Sequence, residues 1–291
     1  MKLITNIQEM RSFSSDVKRS GKSIAFVPTM GFLHDGHASL LKKGKEVGDM
    51  LVMSIFVNPA QFGPKEDFTS YPKDIKRDMA LAEDNNVDVV FNPAADDMYP
   101  AGFQTFIDIE KLSNRLCGLS RPGHFRGVAT VVAKLFNIVK PDIALFGGKD
   151  FQQARIIKKM AQDLNMDVDI ITMPTIREAD GLAMSSRNSY LNKEERKAAI
   201  CLYNAIKKAR DIFDNGVRDA DAILKEARNI IKREPLAVID YVKVCDIDTF
   251  EDLDTIEDRA LLALAVKIGK TRLIDNDILG QEEKLYAENN A

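Results

Sequence analysis

Tryptophan is missing from this chain of 291 residues, and cysteine and histidine occur three times each. Cys117, Cys201 and Cys245 lie far apart and make no C-x-x-C pair, which argues against a zinc ribbon and leaves no disulfide framework. Neither sign of charge is in excess: 41 basic side chains face 44 acidic ones, so no strong field draws nucleic acid or an anionic membrane as a partner. No apolar run approaches the roughly 20 residues that cross a bilayer, and the opening MKLITNIQEMRSFSS lacks the apolar stretch of a signal peptide. The expectation is a soluble, cytoplasmic protein with reduced thiols. Its length and its composition, 45% hydrophobic and 29% charged, suit two domains or one large one around a substantial core.

Short apolar runs recur through the first part of the chain: SIAFV at 23–27, MLVMSIFV at 50–57, VDVVF at 87–91, IALFG at 143–147 and DVDIITM at 167–173. Each reads as a buried strand. Between them HASLLKKGKEVG, DIKRDMALAEDNN and GVATVVAKLFNIVK have helical spacing, and Pro141 ends the last. Strand and helix in alternation predict a doubly wound parallel sheet. The last third changes pattern, with helices near KEERKAAICLYNAIKKARDIF and DAILKEARNIIKR and then strands near VIDYVKV, ALLALAVKI and TRLID. That order predicts a smaller α+β domain with antiparallel pairing. The boundary is expected within 176–192, placed at 180/181 to give domains 1–180 and 181–291. The tail GQEEKLYAENNA, from 280 on, reads as disordered, and no internal repeat is visible.

Two of the three histidines fall in FVPTMGFLHDGH, where the first strand gives way to its helix. In a doubly wound fold ligands bind at the carboxyl ends of strands. A helix N-terminus there offers free N–H groups and roughly half a positive charge, which suits phosphate. His34 and His37 would add hydrogen-bond donors as a phosphate reacts. The same pair also suits surface or capping roles. A zinc site fits poorly, since the i, i+4 spacing of HExxH and a third ligand are both lacking. A P-loop is excluded, because GKS at 21–23 and GKT at 269–271 have Asp16 and Leu264 where its first glycine belongs.

Four further segments carry candidate groups. FVNPAQFGPKEDFTSYP offers Asn58, Gln61 and Tyr71 to a small polar substrate, or is a plain Pro/Gly loop. FGGKDFQQ joins Gly147 and Gly148 to Lys149, Asp150, Gln152 and Gln153. Its glycines would let backbone N–H groups approach an anion while the lysine adds charge, although a surface turn would explain all but the paired amides. GLAMSSRNSYL presents Ser185, Ser186 and Arg187 as donors for phosphate oxygens on a mobile loop, or serves as a linker. RPGHFRGVATVV sets His124 with Arg121 and Arg126 before a helix, as an anion site or a capping cluster.

Taken together, PTMGFLHDGH, FVNPAQFGPKEDFTSYP, RPGHFRGVATVVAKLF, FGGKDFQQ and MSSRN resemble, in order, the signature blocks of the pantoate–β-alanine ligase (pantothenate synthetase) family. That family belongs to the HxGH nucleotidylyltransferase superfamily, related to class I aminoacyl-tRNA synthetases. The resemblance spans 28–188, and the last third matches mainly in length and pattern. Phe32 stands where alanine is usual and Gly148 where glutamate is common, departures that bear on packing near the nucleotide.

The resemblance implies a Rossmann-like domain with a C-terminal lid, a homodimer, and an AMP-forming ligase using ATP with Mg2+, pantoate and β-alanine. Pantoate's carboxylate would attack the α-phosphate, and β-alanine would then displace AMP from pantoyl adenylate. By the same resemblance His34 and His37 stabilise the transition state, with His37 also a proton donor, while Lys149, Ser185, Ser186 and Arg187 hold the phosphates. Met30, Gly31, Gly147, Gly148, Asp150, Ile176 and Met184 line the nucleotide site. Gln61 and Gln153 grip pantoate, and Gln61 also meets β-alanine. No metal ligand is assigned. Two other readings stand beside it: a nucleotidylyltransferase with a phosphorylated acceptor, which would call for more basic groups than the two glutamines, and a silent nucleotide-binding module.

Overall fold

The computed structural model describes residues 1–64 and 66–280. The expectation of a disordered tail therefore falls, at 281–291, outside the described residues. Six parallel strands, β1 (Lys2–Ile4), β2 (Ile24–Thr29), β3 (Met50–Ile55), β4 (Val89–Phe91), β5 (Ile143–Gly147) and β6 (Asp169–Met173), form one sheet in the order β1-β4-β3-β2-β5-β6. Five of them are the apolar runs of the sequence. Strand β1, at the edge beside β4, is not among those runs, because three residues are too few to show a period.

Helices cover both faces, as a parallel sheet requires. On one face α2 (Asp35–Val47) and α3 (Ile75–Asp84) bury Leu40, Leu41 and Ala82 against Val27, Leu51, Met53 and Val90. On the other, α1 (Ile7–Arg19) packs with the short turn α4 (Ala95–Met98), α6 (His124–Val139) and α7 (Phe151–Asp163), while Cys117 of the turn α5 (Cys117–Ser120) joins Phe125 and Ile156 in a small separate cluster. Phe26, Val52, Phe91, Val132, Phe136 and Ile157 are the centre of that second core. Chain order reverses at β2, whose two neighbours are β3 and β5. The ladder between β2 and β5 pairs only Ala25 with Ile143 and Phe26 with Ala144, so their carboxyl ends part. That is the switch point at which a doubly wound sheet takes its ligand.

The last third is an antiparallel sheet of β7 (Ala237–Cys245), β8 (Arg259–Ile268) and β9 (Thr271–Gly280), covered by α8 (Lys193–Ala198), α9 (Ile200–Asp214) and α10 (Ala220–Lys232). The sequence suggests one long helix where α8 and α9 meet; Ala199 divides them. Alternation along β8 serves two cores, as the period of two in a strand demands. Leu262, Leu264 and Val266 face α9 and α10, whereas Leu261 and Ala263 pack with Leu116 and Phe151 of the larger layer. The two layers therefore share a hydrophobic contact beside the turn that begins α7. Among the described residues no helix is long and apolar enough to cross a membrane.

Candidate active site

At the end of β2 the chain turns through Gly31 and Phe32, both with positive φ (82° and 51°). The buried Asp78 of α3 fixes this turn, accepting from the N–H groups of Phe32 (2.8 Å) and Leu33 (2.7 Å). His34 then caps α2. Its Nδ1 accepts from Gly36 N (3.1 Å), and the Nδ1 of His37 accepts from His34 N (3.2 Å), a reciprocal capping box built from two imidazoles. Gly36 is required by proximity: a Cβ there would lie 2.8 Å from Cε1 of His34.

These two bonds settle the chemistry of both rings. With Nδ1 accepting from a backbone N–H, a neutral imidazole carries its proton on Nε2. Burial, with the nearby Lys149 charge, lowers the His34 pKa to about 4, and burial with the neighbouring His34 and Lys149 holds His37 well below its usual value. Both are neutral Nε2–H donors at pH 7, ring centroids 4.1 Å apart. His37 is half-buried rather than an exposed helix-end residue.

A cavity of about 200 Å³ opens in front of them, at the parted ends of β2 and β5. It brings together Met30, His34, His37, Gln61, Gly147, Lys149, Asp150, Gln153, Ile176, Met184, Ser185, Ser186 and Arg187. Gly31 and Gly148 are not on its wall, and neither is Phe32, whose ring lies 4.8 Å from the Arg77 guanidinium. Sequence reasoning missed the apolar wall of α6, Val128, Val131, Val132 and Leu135, although their i, i+3, i+4, i+7 spacing is a visible signal of a helix face. A larger space of about 1230 Å³ continues from Lys149, Gln153, Ser185 and Arg187 to β8 and β9.

Several side chains have partners that the sequence does not disclose. Asn58 donates to Gln61 Oε1 (3.0 Å) and accepts from the Tyr99 hydroxyl (2.8 Å), which leaves the Gln61 amide nitrogen turned to Met30 Sδ (3.1 Å) and the cavity. The paired amides of FGGKDFQQ divide: Gln152 is buried and spent on Cys117 N, Leu112 O and Arg115 O, while Gln153 lines the cavity. His124 is neither a surface cap nor a free anion site. Its Nδ1 donates to Gln61 O (2.8 Å), its Nε2 accepts from Arg121, and burial with the Arg121 charge lowers its pKa to about 4. Arg187 and Arg121 are both held by adjacent carboxylates of the 62–71 loop. Asp67 accepts from Arg187 Nε and Nη2 (2.9 and 3.0 Å), and Glu66 from Arg121 Nε and Nη2 (2.6 and 2.7 Å). Ser186 donates to Phe32 O (3.1 Å), tying the 185–187 run to the histidine turn. Among the described residues no three His, Cys, Asp or Glu side chains could hold a metal ion.

Residues 2–278 match the family described as pantoate-beta-alanine ligase. A pantothenate synthetase of Geobacter sulfurreducens is 56% identical over 283 residues, covering 97% of this chain and 100% of that one. The crystal structure of pantothenate synthetase from Thermus thermophilus superposes with a TM-score of 0.90 at 38% identity, over 99% of this chain and 100% of that one. Pantoate-beta-alanine ligase from Francisella tularensis, crystallised in complex with beta-gamma ATP and beta-alanine, gives 0.80 at 35% identity, over 96% and 97%.

Proposed function

This chain belongs to the pantoate–β-alanine ligase family, and from that membership we propose that it joins pantoate to β-alanine through pantoyl adenylate, releasing AMP and diphosphate. The observation that carries the site assignment is the convergence of two neutral Nε2–H imidazoles and Lys149 with two carboxamides, Gln61 and Gln153, in one cavity. The first set suits a polyphosphate, the second a small hydroxy acid.

In the first step a pantoate carboxylate oxygen bonds to the α-phosphorus and the bond to the diphosphate oxygen breaks. Charge builds on phosphoryl oxygens, and His34 and His37 donate to them from fixed positions without themselves being charged. Lys149 supplies the positive charge, and Ser185, Ser186 and Arg187 take the outer phosphates. Met30, Gly147, Asp150, Ile176 and Met184 bound the adenosine side. Gln61, its nitrogen aimed by Asn58, and Gln153 hold pantoate, and Gln61 also meets β-alanine. In the second step the amine nitrogen attacks the acyl carbon, loses a proton, and AMP departs with the carboxyl oxygen. No protein nucleophile is needed: positioning and exclusion of water from the adenylate are the chain's work.

Mg2+ would be held mainly by the phosphates of the nucleotide. Among the described residues the cavity wall holds one carboxylate, Asp150, which fits an ion that keeps waters and phosphate oxygens as its main ligands. Bound there, Mg2+ neutralises phosphate charge. Division at 180/181 makes 181–291 a lid whose hinge is the 181–191 segment, and the protein is a cytoplasmic homodimer whose buried thiols stay reduced.

The test is ATP-dependent diphosphate release with Mg2+ and pantoate, with and without β-alanine, alongside AMP and product mass. Sustained release needing both substrates, with AMP formed one-for-one with pantothenate, is the expected result. ATP binding without pantoate-dependent turnover would favour a phosphorylated acceptor or a silent module.

A further inference from the structure

Lys149 is a point charge on a flexible four-carbon stem, so its usefulness depends on where its backbone is held. That backbone is a single 3-10 turn, Gly148–Asp150, between β5 and α7. Its outer contact comes from the other layer. Asn276 of β9 donates through Nδ2 to Gly148 O (3.1 Å) and Lys149 O (2.8 Å). Both acceptors are carbonyls, which fixes the amide orientation: the nitrogen must face them, and both its hydrogens are used.

The neighbouring residue does the matching work for the second phosphate element. Asp275, 2% exposed, accepts from Arg177 Nη1 (2.7 Å) and Nη2 (3.0 Å), and Arg177 Nη1 also donates to Gly181 O (3.1 Å). Arg177 bridges to Ala183, immediately before Met184 and the Ser185–Arg187 run. Successive side chains in a strand point to opposite faces, so the edge strand β9 reaches both elements from adjacent residues.

We propose that Asn276 is a positioning residue for the ligase reaction, acting through Lys149, and that with Asp275 it sets the spacing between the lysine turn and the 185–187 run. The proposal rests on the phosphate-side reading given above. It makes the small layer part of the catalytic framework and not only a cover.

A double-mutant cycle tests it. Asn276→Ala is expected to lower kcat for diphosphate release by about 10- to 100-fold, with KM for pantoate within about two-fold and little change in Tm. Asn276→Asp, nearly the same size but setting a carboxylate against two carbonyl oxygens, is expected to lose at least as much. In a Lys149→Ala background the Asn276→Ala loss should shrink to less than about two-fold, because the group it positions is gone. The same cycle read as affinity for a non-hydrolysable ATP analogue requires no turnover. Multiplicative losses, or an unchanged kcat in Asn276→Ala, overturn the proposal while leaving the ligase reading intact. A wild-type protein without pantoate turnover overturns the ligase reading, and the cycle on analogue affinity still decides the anchor.

Discussion

The two edges of the cavity neutralise charge in opposite ways. On the histidine edge the two ring donors carry no charge: His34 and His37 are neutral, locked by backbone N–H groups, with their Nε2–H bonds left for a ligand. On the other edge Arg187, and beyond it in the larger space Arg121, are already occupied by adjacent carboxylates, Asp67 and Glu66. The first edge is complete before substrate arrives and needs no rearrangement at the moment of reaction. The second would have to exchange partners for an anion to bind there, at the cost of an existing ion pair. Rate should therefore depend most on the first edge, and affinity be tuned by the second.

Removing a donor from the first edge is expected to have the largest effect. His37→Ala should lower kcat by about 10²- to 10³-fold, with a stability loss of about 1 kcal/mol from the broken reciprocal cap. Single-turnover AMP formation and thermal unfolding measure the two separately. A variant with wild-type turnover would remove the histidine edge from the chemistry.

The buried third histidine tests the electrostatics without entering the phosphate site. The unfolded chain takes up a proton at His124 near pH 6.5, whereas the folded protein does so only at about 4. Protons between those values favour the unfolded state, so the stability associated with the neutral ring is full above 6.5 and lost as pH falls toward 4, by about 3 kcal/mol. Denaturant unfolding from pH 7.5 to 4.5 reads it, and His124→Gln should make that part of the curve less steep by the His124 share, leaving the share of His34 and His37 in place. An equally steep curve in the variant would place the pH dependence elsewhere.

Gln153 lines both the cavity and the larger space and should report on substrate grip alone. Gln153→Ala is expected to raise KM for pantoate by about 10- to 100-fold, as for a lost hydrogen bond to a charged ligand, and to leave ATP affinity unchanged by calorimetry. A parallel loss of ATP affinity would assign the amide to the nucleotide instead.

The difference between the edges also explains what can be read from the sequence. His34, His37 and Lys149 lie within a few residues of strand ends, where topology alone directs them to the cavity. The continuous apolar runs of β2 to β6 are legible for the same local reason. Asp67, Glu66, Asp275 and Asn276 are ordinary polar residues in loops and strands, and they acquire meaning only through partners far along the chain, such as Arg187 for Asp67, 120 residues away. Long-range pairing leaves no periodicity to detect. Gln152 and Gln153 show the limit within a single motif. They are adjacent and chemically identical, but about 100° of helical rotation sends one to backbone groups around Leu112 and the other to the cavity.

The smallest effect is the most direct test of partner exchange on the second edge. Asp67→Asn removes the counter-charge that holds Arg187 and weakens the contact with the Tyr190 hydroxyl (3.2 Å). The pair is partly solvated, so the stability cost should be only about 0.5–1 kcal/mol. Freed of its carboxylate, Arg187 no longer has to be taken from a partner by the triphosphate, and affinity for an ATP analogue should rise about two- to five-fold, with a stronger dependence on salt. If Asp67 instead holds the guanidinium where the phosphates need it, the same substitution will weaken binding. The second edge would then be as preorganised as the first, and the division of labour between rate and affinity would fall.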